Sequence, residues 1–208
     1  MKAKSKVRTK IKAKDKVKVN LTDSEQLTDE QLVKEIKSGN QQFFEELVKR
    51  YETRLIRYVL YLTPGEEKAK DIVQDTFIKV YINLNSFKTD LKFSSWIYRI
   101  AHNETMNRLK KYGFQVFQLD IDIVDRFVVA PNNTESEIEK AEISKNVQNA
   151  LSKLPLKYKV PLVLYYIEDK SYDEIGDILK VSLGTVGTLV SRGKKRLKEI
   201  LVSEGKVL

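Results

Sequence analysis

The sequence predicts an all-α protein of two small helical domains joined by a flexible linker, the second containing a helix-turn-helix. Three observations predict it. Apolar residues recur at three- and four-residue steps over most of the chain, strand signals are weak throughout, and one long aperiodic stretch interrupts the helical pattern. The chain has 208 residues, enough for one medium domain or two small ones.

Residues 1–24 alternate lysine with small or β-branched residues and hold too little apolar surface to fold, so they read as a basic disordered tail. Their charge could add salt-sensitive affinity for phosphates. The net charge of +9 is concentrated here: residues 1–20 carry nine basic side chains against Asp15, which leaves the remainder nearly neutral. Any nucleic-acid binding by the body must therefore use local patches.

Residues 25–112 read as the first domain. From Thr28 the pattern turns helical, and Phe43, Leu47, Tyr51, Leu55, Val59 and Leu62 form one apolar stripe along a long helix. Pro64–Gly65 ends it. A second helix is predicted over about 66–83, with Val73, Phe77, Val80 and Leu84 inward. A polar loop follows over 85–92, and a third helix spans about 94–111, burying Trp96, Ile97, Ile100 and Ala101. On the second helix Asp71, Gln74 and Asp75 share a face at i, i+3 and i+4, opposite Val73 and Phe77. Arg99, Asn103, Asn107 and Lys110 form a polar stripe on the third, and amides mixed with cations suit base edges together with phosphates. Trp96 has two readings, a wedge between DNA strands or a core side chain, and its helical spacing with Ile97 and Ile100 favours the core.

Residues 113–135 lack helical period and contain Asp120, Asp122 and Asp125, an acidic flexible linker too long for a routine connection inside one compact domain. Helical signals resume at Ser136, and residues 136–208 read as the second domain. Pro155 opens a helix over about 156–168, followed by two more over about 172–180 and 183–202. Ser171 and Glu174 fit a capping box, and Val181–Ser182 makes a short turn. Leu183, Val186, Val190 and Leu197 then point one way, while Thr188, Ser191, Arg192 and Lys195 point the other. Two short helices with so tight a turn are the geometry that places a second helix in a major groove, and five basic residues without an acid lie between Arg192 and Lys198.

These residues resemble the extracytoplasmic-function sigma factors of bacterial RNA polymerase. Ser171-Tyr172-Asp173-Glu174-Ile175 with Ser182-Leu183-Gly184-Thr185-Val186 resembles their second DNA-binding region. Asp71-Ile72-Val73-Gln74-Asp75-Thr76-Phe77 looks like their polymerase-binding helix, and Phe93 to Asn103 like their promoter-opening helix. The three motifs stand in the right order around a linker of the right kind. The resemblance implies that 25–112 is region 2, binding core polymerase and the minus-ten element, and that 136–208 is region 4, binding the minus-thirty-five element. It also implies that Asp71, Gln74 and Asp75 meet the clamp coiled coil of the largest polymerase subunit. By the same resemblance Asn103 reads a flipped base of the minus-ten element in a pocket lined by Asn85, Ser86 and Phe87, with Arg99, Asn107 and Lys110 alongside. Thr185, Thr188, Ser191, Arg192 and Lys195 would read the minus-thirty-five element, and the linker would follow an RNA path in polymerase. A membrane-anchored anti-sigma factor is the expected regulator.

The sequence departs from the family at Gly187, where relatives usually carry a basic residue, and at Asn107, where many carry an aspartate. Gly187 and Gly193 each cost roughly 1 kcal/mol of helix stability relative to alanine, and the lysine-rich tail lies outside the family pattern. The implied function is promoter recognition, DNA melting and transcription initiation. The alternative is a self-sufficient helix-turn-helix regulator that binds duplex DNA as a dimer, a scheme in which Asp71 to Asp75 have no role. An enzyme is not expected: Asp71 and Asp75 point to a helix surface without a cleft, and the only histidine, His102, reads as structural. With no cysteine and one histidine, no metal, cofactor or small-molecule substrate is expected. The apolar runs fall far short of the roughly 20 residues of a membrane helix, and no signal-peptide core opens the chain. The expected location is cytoplasmic.

Overall fold

The fold is known from a computed structural model, which describes residues 26–111 and 136–205. Among these residues all regular structure is helical. The predicted basic tail and acidic linker lie outside the described residues.

Helix α1 (Asp29–Lys37) begins with a capping box: the Gln31 amide donates to Thr28 Oγ1 at 3.3 Å and the Thr28 amide to Gln31 Oε1 at 2.8 Å. The long helix expected from Thr28 to Leu62 is broken here. Gly39 adopts φ +110°, a backbone that favours glycine, and a single 3-10 turn (Gln41–Phe43) leads into α2 (Phe44–Leu60). The break swings α1 back across α2, so that Leu32 and Val33 reach the same core as Leu47 and Leu55. Arg50 staples the pair together. Its guanidinium donates to Asp29 at 2.9 Å, Glu46 at 3.0 Å and the Leu27 carbonyl at 2.8 Å. Tyr51 donates its hydroxyl to the second Asp29 oxygen.

Helices α3 (Glu66–Asn83) and α4 (Phe93–Lys111) complete the first module. Ile72, Val73 and Val80 of α3 and Phe93, Ile97 and Ala101 of α4 are all buried, and all belong to one apolar cluster. Each of these isoleucine, valine and phenylalanine side chains contributes about 1.5–3 kcal/mol when removed from water. His102 is packed against this core with its Nδ1 3.0 Å from the Tyr58 hydroxyl, and burial pushes its pKa down to about 4.

The second module comprises α5 (Ser136–Lys153), α6 (Leu156–Tyr166), α7 (Tyr172–Leu179) and α8 (Leu183–Ser203). The predicted box at Ser171 is present: Glu174 amide to Ser171 Oγ at 3.3 Å, Ser171 amide to Glu174 Oε2 at 3.1 Å. Lys180 closes α7 in the left-handed region, and Ser182 caps α8 by accepting from the Thr185 amide. Close approach explains Gly193, which the sequence marks only as a helix weakener. A Cβ there would lie 3.0 Å from Leu162 Cδ1 and 3.3 Å from the Tyr158 carbonyl, so its bareness seats α8 on α6.

The modules are not apart. Helix α4 packs along α7, and the buried apolar side chains of both modules form one continuous cluster.

Candidate nucleic-acid interfaces and docking face

On α8 the inner face is Val186, Val190 and Gly193, and it fixes which residues are left outside. Thr185, Thr188, Ser191, Arg192 and Lys195 are all exposed on the outer side. Thr188 donates its hydroxyl to the Gly184 carbonyl at 2.9 Å. Leu183 differs from its expected inward place. It is 52% exposed and lines an open groove beside α7 with Tyr172, Gly176 and Lys180. Arg192, Lys194, Lys195, Arg196 and Lys198 form an exposed basic row. Lys194 and Arg196 also lie over the rings of Tyr166 and Tyr158, at 5.9 and 5.1 Å. At Gly187 a Cβ would make ordinary contact, 3.6 Å from the Tyr172 ring. The missing side chain is therefore not demanded by packing.

Along α4, Asn103, Asn107 and Lys110 are exposed, whereas Arg99 is half-buried and donates to the Asp177 carbonyl of α7 at 2.8 Å. Beside Asn103 opens a cleft of about 290 Å³, lined by Ser86, Trp96, Ile100 and Asn103, with Lys79 and Glu104 at one wall. Trp96 packs at a tilt on Phe87 with ring centroids 5.0 Å apart and also lines the cleft. Phe87 is 4% exposed and lies beneath Trp96 in the core, outside the lining. Asn85 is exposed but takes no part in the lining; its carbonyl, with that of Phe87, accepts from Lys37 of α1, which holds the loop in place. The sequence reading missed Lys37, Lys79 and Glu104. Lys79 and Glu104 pair at 2.5 Å across 25 residues, a contact with no signature in either helix alone.

On α3, Asp71 and Gln74 are exposed and Asp75 is half-buried, taking a hydrogen bond from Arg108 of α4. Ile78 and Ile82 continue the Gln74 line at four-residue steps and are 50% and 69% exposed. Gln74 and Ile78 line an apolar cleft of about 620 Å³ between α2 and α3, together with Phe44, Val48, Ile56 and Phe77. The spacing of Gln74, Ile78 and Ile82 was the available signal for this face. A second apolar cleft, of about 720 Å³, lies between α5, α6 and α8 beneath Lys194, Lys195 and Lys198. Among the described residues no group of side chains could hold a metal ion, and no helix is long and apolar enough to cross a membrane.

One module thus presents a helix-turn-helix with a basic outer face, and the other sets the Asn103 amide beside an open cleft lined by Trp96. Residues 47–114 match the family model for Sigma-70 region 2, and residues 144–197 match that for Sigma-70, region 4. The ECF RNA polymerase sigma factor SigW of Bacillus subtilis (strain 168) is 33% identical over 177 residues, covering 81% of this chain and 94% of that protein. The ECF RNA polymerase sigma-E factor of Escherichia coli (strain K12) is 31% identical over 181 residues, covering 84% and 94%. Among solved structures, CnrH in complex with the cytosolic domain of CnrY superposes with a TM-score of 0.62 at 26% identity, covering 84% of this chain and 97% of that one. RpoE in complex with the anti-sigma factor NepR from Bartonella quintana shares the fold, with a TM-score of 0.57 at 22% identity. The chain belongs to the extracytoplasmic-function sigma factors, which direct transcription initiation by RNA polymerase. Sigma factors as a class are not enzymes.

Proposed function

We propose that residues 25–112 act as region 2 and residues 136–208 as region 4, and that the three faces described above divide the work of initiation. Asp71, Gln74 and Asp75 dock the chain on core polymerase, with Ile78 and Ile82 supplying the apolar part of that contact. The cleft beside Asn103 receives a base extruded from the minus-ten element, with Trp96 as its stacking surface and Ser86 at its edge. Extrusion costs a few kcal/mol, which stacking and hydrogen bonding in a pocket offset. Arg99, Asn107 and Lys110 track the flanking strand, and Asn85 and Phe87 shape the loop rather than touch the base. Thr185, Thr188, Ser191, Arg192 and Lys195 enter the minus-thirty-five major groove. The protein works in the cytoplasm without catalysis of its own. An anti-sigma factor restrains it, as the CnrH–CnrY and RpoE–NepR complexes support by analogy.

The observation that carries this reading is the open cleft that brings Asn103, Trp96 and Ser86 together from two elements. Run-off transcription with core polymerase tests it. Asn103→Ala is expected to lower promoter-specific product at least tenfold while core binding is unchanged, because only the flipped-base contact is lost. Unchanged product would remove Asn103 from base capture. Specific duplex binding by the chain alone, without polymerase, would instead favour the dimeric regulator.

A further inference from the structure

The basic arm ahead of α1 has no part in the three faces described above, yet its sequence is strictly ordered. From Lys2 to Lys18 every even position is lysine or arginine and no odd position is, which makes nine cations in a two-residue repeat. The odd positions between them are small or β-branched apart from Asp15.

A polycation that is merely solvated needs no such order. On an α-helix each two-residue step turns through about 200°, which would spread the cations over every side. On an extended chain the same step returns to one face, at a spacing of about 6.6–6.8 Å. Val7, Thr9, Ile11 and Val17 favour that extended backbone. Among the described residues all regular structure is helical, so the body offers such a strand no sheet edge to join.

The pattern instead suits a linear ligand with a matching row of negative charge. Neighbouring phosphates on one strand of a DNA duplex lie roughly 7 Å apart in space, given a rise of ~3.4 Å and about ten steps per turn at the duplex radius. Cation row and phosphate row thus share a period. A lipid surface has no such repeat, and Ser5, Thr9 and Asp15 interrupt the face that would have to enter it.

The structure fixes where the arm starts. Arg50 donates to the Leu27 carbonyl at 2.8 Å and to Asp29 at 2.9 Å, and Glu30 accepts from the Phe93 amide, the first of α4, at 2.9 Å. The root is therefore pinned beside the start of α4. Asn103 lies about 15 Å further along that helix. Residues 19–26 span about 26 Å when extended, enough to bring the arm to DNA held at the cleft.

We propose that residues 2–18 are a phosphate-binding arm, laid extended along one strand of the duplex flanking the minus-ten element, with its even-numbered cations on successive phosphates. The proposal rests on α4 being the helix that meets that element. Such contacts read no bases; they add affinity that grows as salt falls.

The test uses holoenzyme reconstituted from the full-length chain and core polymerase, on a promoter fragment that yields run-off product. One variant replaces all nine cations from Lys2 to Lys18 by glutamine. A second keeps the composition of residues 2–18 but gathers the cations in blocks of three. In a plot of log promoter affinity against log salt, the glutamine arm is expected to flatten the slope by about 4 or more, at ~0.9 per phosphate lost. At ~0.15 M salt its affinity should fall on the order of tenfold or more, with core-polymerase affinity unchanged. The blocked arm should bind more weakly than wild type at equal charge.

An unchanged slope for the glutamine arm would overturn the proposal. So would a loss of core affinity, which would place the arm on polymerase. A blocked arm equal to wild type would overturn the match of strand to strand. Pelleting of the wild-type chain with phosphatidylglycerol vesicles, lost in the glutamine arm while the slope stays the same, would assign the arm to a membrane surface instead. Both variants are expected to initiate like wild type at low salt. Wild-type protein without promoter-specific product would therefore fail the sigma-factor reading, a result distinct from every failure of the arm.

Discussion

Arg50 and Arg57 stand seven residues apart on α2, two turns along one face, yet they do different jobs. Arg50 binds Asp29 and Glu46, both on its own module, and those carboxylates keep 21% and 16% of their exposure. Arg57 binds Glu168 from the other module, where no exposure remains. The first pair is a staple that water can partly replace. The second is a contact that water can replace only if the modules separate. The burial of the carboxylate, and not the guanidinium, therefore decides whether an ion pair trims stability or governs domain arrangement.

The sharpest way to break the comparison is to remove each arginine. Arg57→Ala strands a buried carboxylate, a loss of about 3–5 kcal/mol for the docked form, limited by the freedom of the modules to part. Urea unfolding is expected to change from one transition to two, and a single unshifted transition would show that Glu168 is not held at the seam. His102 offers a half-buried ionisable group whose neighbour, Tyr58, is uncharged. Its folded pKa of about 4 lies below the usual 6.5, so the unfolded chain binds the extra proton first and stability falls as pH drops from 6.5 toward 4. From pH 7 to pH 5 this amounts to ~2 kcal/mol. His102→Gln should flatten that part of the stability–pH curve, measured as the wild-type minus variant difference in urea midpoint.

Arg50→Ala is expected to cost about 1–2 kcal/mol in the first module alone, with the modules still docked and the loss shrinking at high salt. Distances between spin labels on the two modules, unchanged from wild type, would mark it as a staple; a lengthened distance would erase the distinction from Arg57. Asp75→Ala should be the smallest in stability, below about 1 kcal/mol, because both partners of its pair with Arg108 keep a third or more of their exposure. Its effect should appear in core-polymerase affinity, and unchanged affinity would remove Asp75 from the docking face.

What was legible in the sequence was everything written in short-range spacing. The Ser171–Glu174 box, the Ser182 cap, the inner line of Val186 and Val190 and the outer line of Thr188, Ser191, Arg192 and Lys195 are i, i+3 and i+4 relations, which one helix fixes by itself. The motifs of α3 and α4 were readable for the same reason, and with them the family. The break at Gly39 was missed because the apolar spacing continues through it, although Ser38-Gly39-Asn40 is a turn-forming run.

The tertiary structure alone decided the rest. Phe87 went under Trp96 instead of into the cleft, packed against the rings of Trp96 and Phe93. Lys79 met Glu104 across 25 residues, and Arg57 met Glu168 across 111. Periodicity says which way a side chain leaves its own helix. Which charge waits opposite depends on how two helices far apart in the chain come to lie together, and that is set by the packing of the whole.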